Sequence, residues 1–414
     1  MSFSWEMIPL GELITLQRGH DLPSSRRVEG NIPIMGSSGI TGYHNEAKCV
    51  GEGVIVGRSG NSMGEISFIN EAYWPLNTCL YVTDFKGNDP KYIYYLLKTV
   101  NFDQFNSGSA QKSLNRNAVY PFEVHATKDK KLQRKIGNAL SQLENKVTLN
   151  FQTNQTLEQM AQAIFKSWFV DFDPVKAKMN GEQPEGMDAA TASLFPEKLV
   201  ESELGLIPEG WEITDIDNAT SKVFSGGTPS TKNESFWGGE LPWFSSGETR
   251  NNFIIETEKH ITQEGVDGSS TKAATYGDVL IASAGQGYTR GQTSFNSIDC
   301  YINQSVVALR ASDCVSPYWL YYCLERRYDE MRSVSDSHSS RGSLTTKLLK
   351  ALPIAKPSKD IVNAFDAIVE SLVRKQVANA KQNKELSLLR DTLLPKLLSG
   401  EIELGQAQEL AEVE

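Results

Sequence analysis

With 414 residues, 39% of them hydrophobic and 22% charged, the chain is long enough for two or more domains and has the composition of an ordinary soluble globular protein. No apolar run approaches the roughly 20 residues of a membrane span, and residues 1–6 have neither the basic flank nor the apolar core of a leader, so a cytoplasmic protein is expected. The net charge of −10 looks wrong for a nucleic-acid binder, but residues 177–210 alone carry seven acids against two bases, whereas 1–127 and 211–356 are near neutral. A DNA-facing surface would therefore have to come from local clustering of basic side chains rather than from bulk charge.

In chain order, the first passage opens on Trp5-Glu6-Met7-Ile8-Pro9-Leu10, and a similar start, Trp211-Glu212-Ile213-Thr214-Asp215-Ile216, comes later. Further parallels follow in the same order, as an internal duplication requires. Glu52-Gly53-Val54-Ile55-Val56 matches Gly277-Asp278-Val279-Leu280-Ile281, each a strand pattern entered by a turn and followed by a Gly/Ser loop, residues 57–62 and 283–291. Asn77-Thr78-Cys79-Leu80-Tyr81-Val82 matches Asn303-Gln304-Ser305-Val306-Val307-Ala308. Two aromatic-rich helices with proline at the start are expected at 90–97 and 317–324. Two polar loops ending in Ser-Leu, 109–114 and 339–344, lead through Pro121 and Pro353 into two long helical patterns.

The first of these patterns is a four-three apolar repeat. Ile136, Leu140, Leu143, Val147, Leu157, Ala161, Ile164 and Trp168 mark the seam of a coiled-coil helix, with Asn150 and Asn154 at its centre. The second repeats the plan: Ile361, Phe365, Ile368 and Leu372, then Lys375, Asn379 and Gln382, then Leu386, Leu389 and Leu393. If the two helices lie antiparallel, their polar centres meet, and Asn150 and Asn154 fall near Asn379. A buried asparagine gives up stability to fix register or partner choice. The alternative is two independent amphipathic helices on separate cores. The expected division is 1–127, first globular domain; 128–178, central long helix; 179–210, surface linker; 211–356, second globular domain; 357–400, distal long helix; and 401–414, an acidic tail.

Little points to catalysis. The chain has no GxxxxGK[ST] loop and no Pro-Pro pair, hence no Asn/Asp-Pro-Pro-aromatic motif of the kind amino-methyltransferases use. The glycine pairs Gly226-Gly227 and Gly285-x-Gly287 read as turns, the five histidines are scattered, and the five cysteines are odd in number without CxxC spacing, so no disulfide framework or metal site is expected. Asp129-Lys130-Lys131 resembles half of a nuclease signature but suits the first turn of a helix.

What remains is a set of loop side chains suited to DNA. Arg18, His20, Arg26 and Arg27 share one loop, Arg58 and Asn61 another, and Lys112, Asn115 and Arg116 a third. In the second domain the candidates are Ser225, Thr228, Ser230, Arg250, Gln286, Tyr288, Thr289, Arg290, Ser339, Ser340 and Arg341. Arg, Asn and Gln can bond base edges in two places at once, while Ser, Thr and Lys suit phosphate oxygens. Ordinary solvated loops are the plain alternative for each residue.

Together these stretches resemble the specificity subunit of type I restriction-modification enzymes along essentially the whole chain. The resemblance rests on Ser225-Gly226-Gly227-Thr228-Pro229-Ser230 with Leu241-Pro242-Trp243, on Gln162-Ala163-Ile164-Phe165-Lys166-Ser167-Trp168-Phe169-Val170-Asp171-Phe172-Asp173-Pro174-Val175, and on Gly205-Leu206-Ile207-Pro208-Glu209-Gly210-Trp211. Leu393-Leu394-Pro395-Lys396-Leu397-Leu398-Ser399-Gly400-Glu401-Ile402 completes it. The first domain departs from the pattern, with Gln17-Arg18-Gly19-His20-Asp21-Leu22-Pro23 in place of the Ser-Gly-Gly-Thr-Pro form.

The resemblance implies an α+β fold, with two duplicated mixed α/β target-recognition domains separated by two long antiparallel coiled-coil helices. It further implies a non-catalytic subunit that reads a bipartite asymmetric target in double-stranded DNA, one domain per half-site. Its helices would dock two modification (methyltransferase) subunits, with restriction (motor-nuclease) subunits joining. No cofactor is expected on this chain; S-adenosylmethionine, ATP and Mg belong to the partners. The alternatives are the specificity subunit of a type IIB-like cleaving-methylating system, a self-contained enzyme, and a coiled-coil scaffold without a nucleic-acid role.

Overall fold

The computed structural model describes residues 5–108, 111–285, 287–338 and 343–402. The chain divides into two compact units, residues 1–149 with 383–414 and residues 150–382.

The apolar strand pattern at residues 53–57 becomes Gly53–Gly57, a strand buried on both faces, which is why it reads as a continuous apolar run. Side chains alternate along a strand. Val54 and Val56 therefore enter a core with Leu16, Leu80 and Val82, while Ile55 enters another with Met35, Cys79 and Tyr81. The strand lies in an antiparallel sheet of order Thr15–Arg18, Cys79–Asp84, Gly53–Gly57, Ile66–Ile69. Beside it, Gly39–His44, Ile32–Gly36 and Trp74–Pro75 form a second sheet whose last pairing is parallel. Trp5–Pro9 pairs antiparallel with Glu123–Thr127.

The second unit repeats this order strand for strand. Thr220–Ser225, Val306–Ala311, Val279–Ala282 and Thr293–Asn296 are neighbours in that order, with Phe253–Ile254 added at the edge. Val279 and Ile281 face one core and Leu280 another. Trp237–Phe244 pairs in parallel with Cys300–Ile302, as Ile32–Gly36 does with Trp74–Pro75, and Glu212–Asp215 closes on Pro353–Lys356. The duplication read from short apolar matches is thus a duplication of sheet topology.

The proline-initiated helices are Pro90–Lys98 and Pro317–Glu325. Proline is tolerated in the first turn because its missing N–H has no helical partner there. Asp89 and Ser316 cap them by accepting from the Tyr92 and Trp319 amides, at 3.0 and 2.9 Å.

The long helices are Lys130–Phe169 and Lys359–Ser399. In the first unit Leu132, Ile136 and Leu140 of the central helix share a core with Leu393, Leu397 and Leu398 of the distal one. In the second, Ala161, Phe165 and Trp168 pack with Ile361, Phe365, Val369 and Val373. The helices are therefore antiparallel, and the independent-helix alternative falls.

The seam of the distal helix needs correction. Ile368 is 40% exposed and Lys375 is exposed, whereas Val369, Val373 and Gln376 are buried. The helix packs against the Pro317–Glu325 helix as well as the central helix, so its buried stripe is wider than a two-helix seam and turned toward the domain. The passage expected as a surface linker is also more ordered. It holds the helix Ala189–Ser193 and the hairpin Leu199–Ser202 with Gly205–Pro208, and Phe195 and Ile207 are buried in the second unit's core.

Candidate nucleic-acid interface

In the first domain, loops distant in sequence converge beyond the sheet. After Thr15–Arg18 the chain turns at Gly19, where an added Cβ would lie 2.1 Å from the Leu76 carbonyl oxygen; only glycine permits that approach. The His20 amide then donates to Pro75 O at 2.7 Å, and the Asn77 amide returns a bond to His20 O at 3.1 Å. Asn77 donates through Nδ2 to Asp21, and Arg58 Nη1 reaches Asn77 O at 3.4 Å. The Arg58 amide bonds Thr78 O, the Leu114 amide bonds Arg58 O, and the Gly60 amide bonds Lys112 O, at 3.0, 2.8 and 3.0 Å.

This joins His20, Arg58 and Lys112, three of the candidates, in one loop cluster. Exposed Arg18 and Asn61 flank it in sequence. The His20 ring lies against Tyr81, with Nε2 3.3 Å from the phenol oxygen, and edge-on to Trp74. Lys112 Nζ pairs with Asp103 at 2.6 Å, an exposed pair that a phosphate could replace at little cost.

Other candidates are used differently. Asn115 caps the short helix Arg116–Val119, and Arg116 Nη1 bonds Leu16 O at 2.9 Å, so both brace the framework. Arg26 is exposed on a short helical turn, and Arg27 Nη1 bonds Thr41 O at 3.2 Å on the neighbouring hairpin.

The same joints recur in the second domain. Gly226 replaces Gly19: a Cβ there would meet Ile302 O at 1.8 Å, and the Gly227 amide bonds that oxygen at 3.0 Å. Gly226-Gly227 is thus a close-approach device rather than a plain turn. Ser283 stands where Arg58 does, its amide bonded to Ser305 O and its carbonyl to the Leu344 amide, both at 2.8 Å. Thr228 donates to the side chain of exposed Gln304, Ser225 ends the strand, and the carbonyl of exposed Ser230 accepts from Trp237 Nε1 at 3.2 Å.

The arginine of this loop comes later and is buried. Arg290 is 8% exposed and paired with Asp336. Thr289 is half-buried beside it, and Tyr288 projects at 84% exposure while its carbonyl accepts from Tyr328 at 2.7 Å. Arg250 pairs with Glu258. Gln286, Ser339, Ser340 and Arg341 lie outside the described residues. Three side chains of the clusters, Asp21, Asn77 and Gln304, were not among the candidates. Asn77 and Gln304 fall in the matched stretches 77–82 and 303–308, but the strands begin only at Cys79 and Val306, which leaves both residues at loop ends.

The polar centre of the helix pair is closed as expected. Asn150 Nδ2 donates to Gln382 Oε1 at 2.8 Å, Asn379 Nδ2 to Asn154 Oδ1 at 2.8 Å, and Asn154 Nδ2 to Gln376 O at 2.9 Å. Asn150 and Asn379 are buried, so these bonds are costly to lose and fix one register. Lys375 takes no such place.

Among the described residues no group of three or more His, Cys, Asp or Glu is arranged to hold a metal ion, and no helix is long and apolar enough to cross a membrane. Cys79, Cys300 and Cys323 are buried free thiols.

Each unit thus joins one sheet domain and its loop cluster to a stretch of the two antiparallel helices. The type I restriction modification DNA specificity domain matches residues 4–159 and 208–386, and the chain belongs to that family. It is 31% identical over 317 residues to the type I restriction enzyme HindI specificity subunit of Haemophilus influenzae, covering 66% of this chain and 68% of that one. It is 23% identical to the MjaIX specificity subunit of Methanocaldococcus jannaschii over 76% and 70% of the two lengths. The fold is shared with the S subunit of a type I restriction-modification system from M. genitalium, at a TM-score of 0.68 and 16% identity over 96% of each chain.

Proposed function

We propose that the chain is the sequence-reading subunit of a type I restriction-modification complex acting on cytoplasmic DNA. Each domain reads one half of a bipartite, asymmetric double-stranded target. The observation that carries this is the pairing of a repeated strand order with unlike loop side chains: one scaffold has been used twice to present different chemistry. The helices dock two methyltransferase subunits, and motor-nuclease subunits join for restriction. Chemistry, with S-adenosylmethionine, ATP and Mg, resides in those partners, and this chain is non-catalytic.

In the first domain Arg58, Lys112 and His20 face the duplex, with Arg18 and Asn61 beside them. In the second, Thr228, Tyr288, Thr289 and the loop around them do so. Lysine and arginine there supply the salt-dependent, sequence-independent part of affinity. The experiment is to exchange residues 1–127 for the corresponding domain of a relative and map methylated adenines in cells that also carry the methylating subunits. One half-site should change and the other should persist; change in both, or in neither, would overturn the reading.

A further inference from the structure

The Gly/Ser loop after Val279–Ala282 has much freedom to lose. Gly285, Gly287 and Gly291 have φ of 135°, 72° and 87°, and fixing such a glycine-rich segment costs conformational entropy. The helix Tyr328–His338 supplies a platform that fixes it. Met331 and Ser335 of that helix are fully buried, and Met331 packs into the second unit's core. Tyr328, Arg332 and Asp336, spaced four residues apart, form a stripe along the same helix. Arg332 Nη1 donates to Gly287 O at 2.6 Å and lies 3.2 Å from the Tyr328 hydroxyl, which itself donates to Tyr288 O at 2.7 Å. Asp336 accepts from Arg290. Gly287, Tyr288 and Arg290 are thus all tied to one helix, while the Tyr288 ring is left 84% exposed. In the first domain the corresponding loop leans on backbone bonds such as Gly60 amide to Lys112 O at 3.0 Å, and the chain after the proline-initiated helix makes the short turn Phe102–Phe105. The clamp is therefore not demanded by the shared scaffold.

We infer that Tyr328, Arg332 and Asp336 are positioning residues for recognition of the second domain's half-site, acting on the shape of loop 287–290 and not through contact with DNA. This rests on the sequence-reading role proposed above. Two of the ties go to main-chain carbonyls, of Gly287 and Tyr288, so they set the direction in which the Tyr288 side chain leaves the loop. The bond from the Arg332 guanidinium is charge-assisted, and Arg332 is half-buried, which makes the tie stronger than an ordinary surface contact. Asp336 is an exposed carboxylate, which repels a phosphate but suits a residue that anchors an arginine of the loop. Arg290, buried and paired with it, works in this clamp.

The test uses the full chain assembled with its methylating partner. The methylated motif is read for wild type, Tyr328→Phe and Arg332→Met, and affinity for duplex is measured against salt. Each variant should relax base preference by on the order of tenfold, as loss of a hydrogen bond allows. The change should fall in the half-site that persists when residues 1–127 are exchanged, with the other half-site intact. The salt dependence of binding should stay as in wild type, whereas loss of a direct phosphate contact makes its slope shallower by about one. Tyr328→Phe removes a single hydroxyl and carries the test if Arg332→Met fails to assemble. The assignment is overturned if wild type gives a bipartite motif and the variants reproduce it at every position, relax the other half-site, blur both equally, or weaken all sequences with a shallower salt slope. Absence of any bipartite motif with wild type would instead overturn the sequence-reading role itself.

Discussion

Two adjacent tyrosines lie on the buried face of each proline-initiated helix, Tyr94 and Tyr95 in the first unit, Tyr321 and Tyr322 in the second, yet the carboxylates they meet live in opposite electrostatic settings. In the first unit Glu144 accepts from Tyr94 and Tyr95 at 3.2 and 2.8 Å, with Lys98 at 2.9 Å and Arg390 at 3.6 Å. Burial pushes its carboxyl up, but Lys98 and the tyrosines more than offset this and hold it below the usual range. In the second unit Glu158 accepts from Tyr322 at 3.1 Å, and Glu325 occupies the helical place that Lys98 holds. Gln162 bridges the two carboxylates at 3.0 and 3.3 Å. Burial, aided by the Glu325 charge, raises Glu158 to about 7. One scaffold thus tolerates either an ion pair or two carboxyl groups bridged by a glutamine at the joint between domain and helices.

The comparison can be broken most forcefully at the aromatic end. Phe365→Ala removes a fully buried ring packed on Phe165 and Phe169 and should cost the second unit about 3–5 kcal/mol, read by chemical denaturation. Glu158→Gln sharpens the contrast. A carboxyl raised from 4.5 to about 7 on folding binds its proton more tightly in the native state. The Glu158 contribution to stability should therefore be greatest below pH 4.5, fall as pH rises to about 7, and level off above. The glutamine variant should lack that fall and gain on the order of 3 kcal/mol above pH 7, measured as the difference in unfolding free energy across pH. Lys98→Met should do the reverse, weakening the first unit above pH 4.5 and mattering less in acid, where Glu144 loses its charge. Asn154→Ala should cost about 1–3 kcal/mol by stranding Gln376 O and Asn379. Smallest, Ser316→Ala should cost about 1 kcal/mol through loss of the cap, visible as a shift in denaturation midpoint.

The sequence was most legible where one physical rule governed a residue. The buried strand at 53–57, the capped helices at 90 and 317 and the polar helix centres all follow from local pattern, and the structure has them. It was less legible where two surfaces competed for one element. Ile368 and Lys375 fit a heptad, but the domain pulls the distal helix round so that Val369, Val373 and Gln376 are covered instead. Phe195 and Ile207 were hidden in a Gly/Pro/Glu-rich passage because isolated apolar residues carry no period. At the loops, composition singled out His20, Arg58 and Lys112, which the fold brings into one cluster, but it could not distinguish Arg116, spent on Leu16 O, from an exposed arginine. Nor could it see Asp21 and Asn77 meet, since that contact depends on strands paired across more than fifty residues.

The first unit is assembled from two stretches separated by everything in the second, whereas the second is continuous in sequence. On the ribosome, Leu132, Ile136 and Leu140 emerge long before Leu393, Leu397 and Leu398 exist to cover them. The part of the molecule made first is therefore the part finished last, and its apolar flank must wait uncovered while more than two hundred residues are added, an interval in which a chaperone or a second nascent chain could claim it.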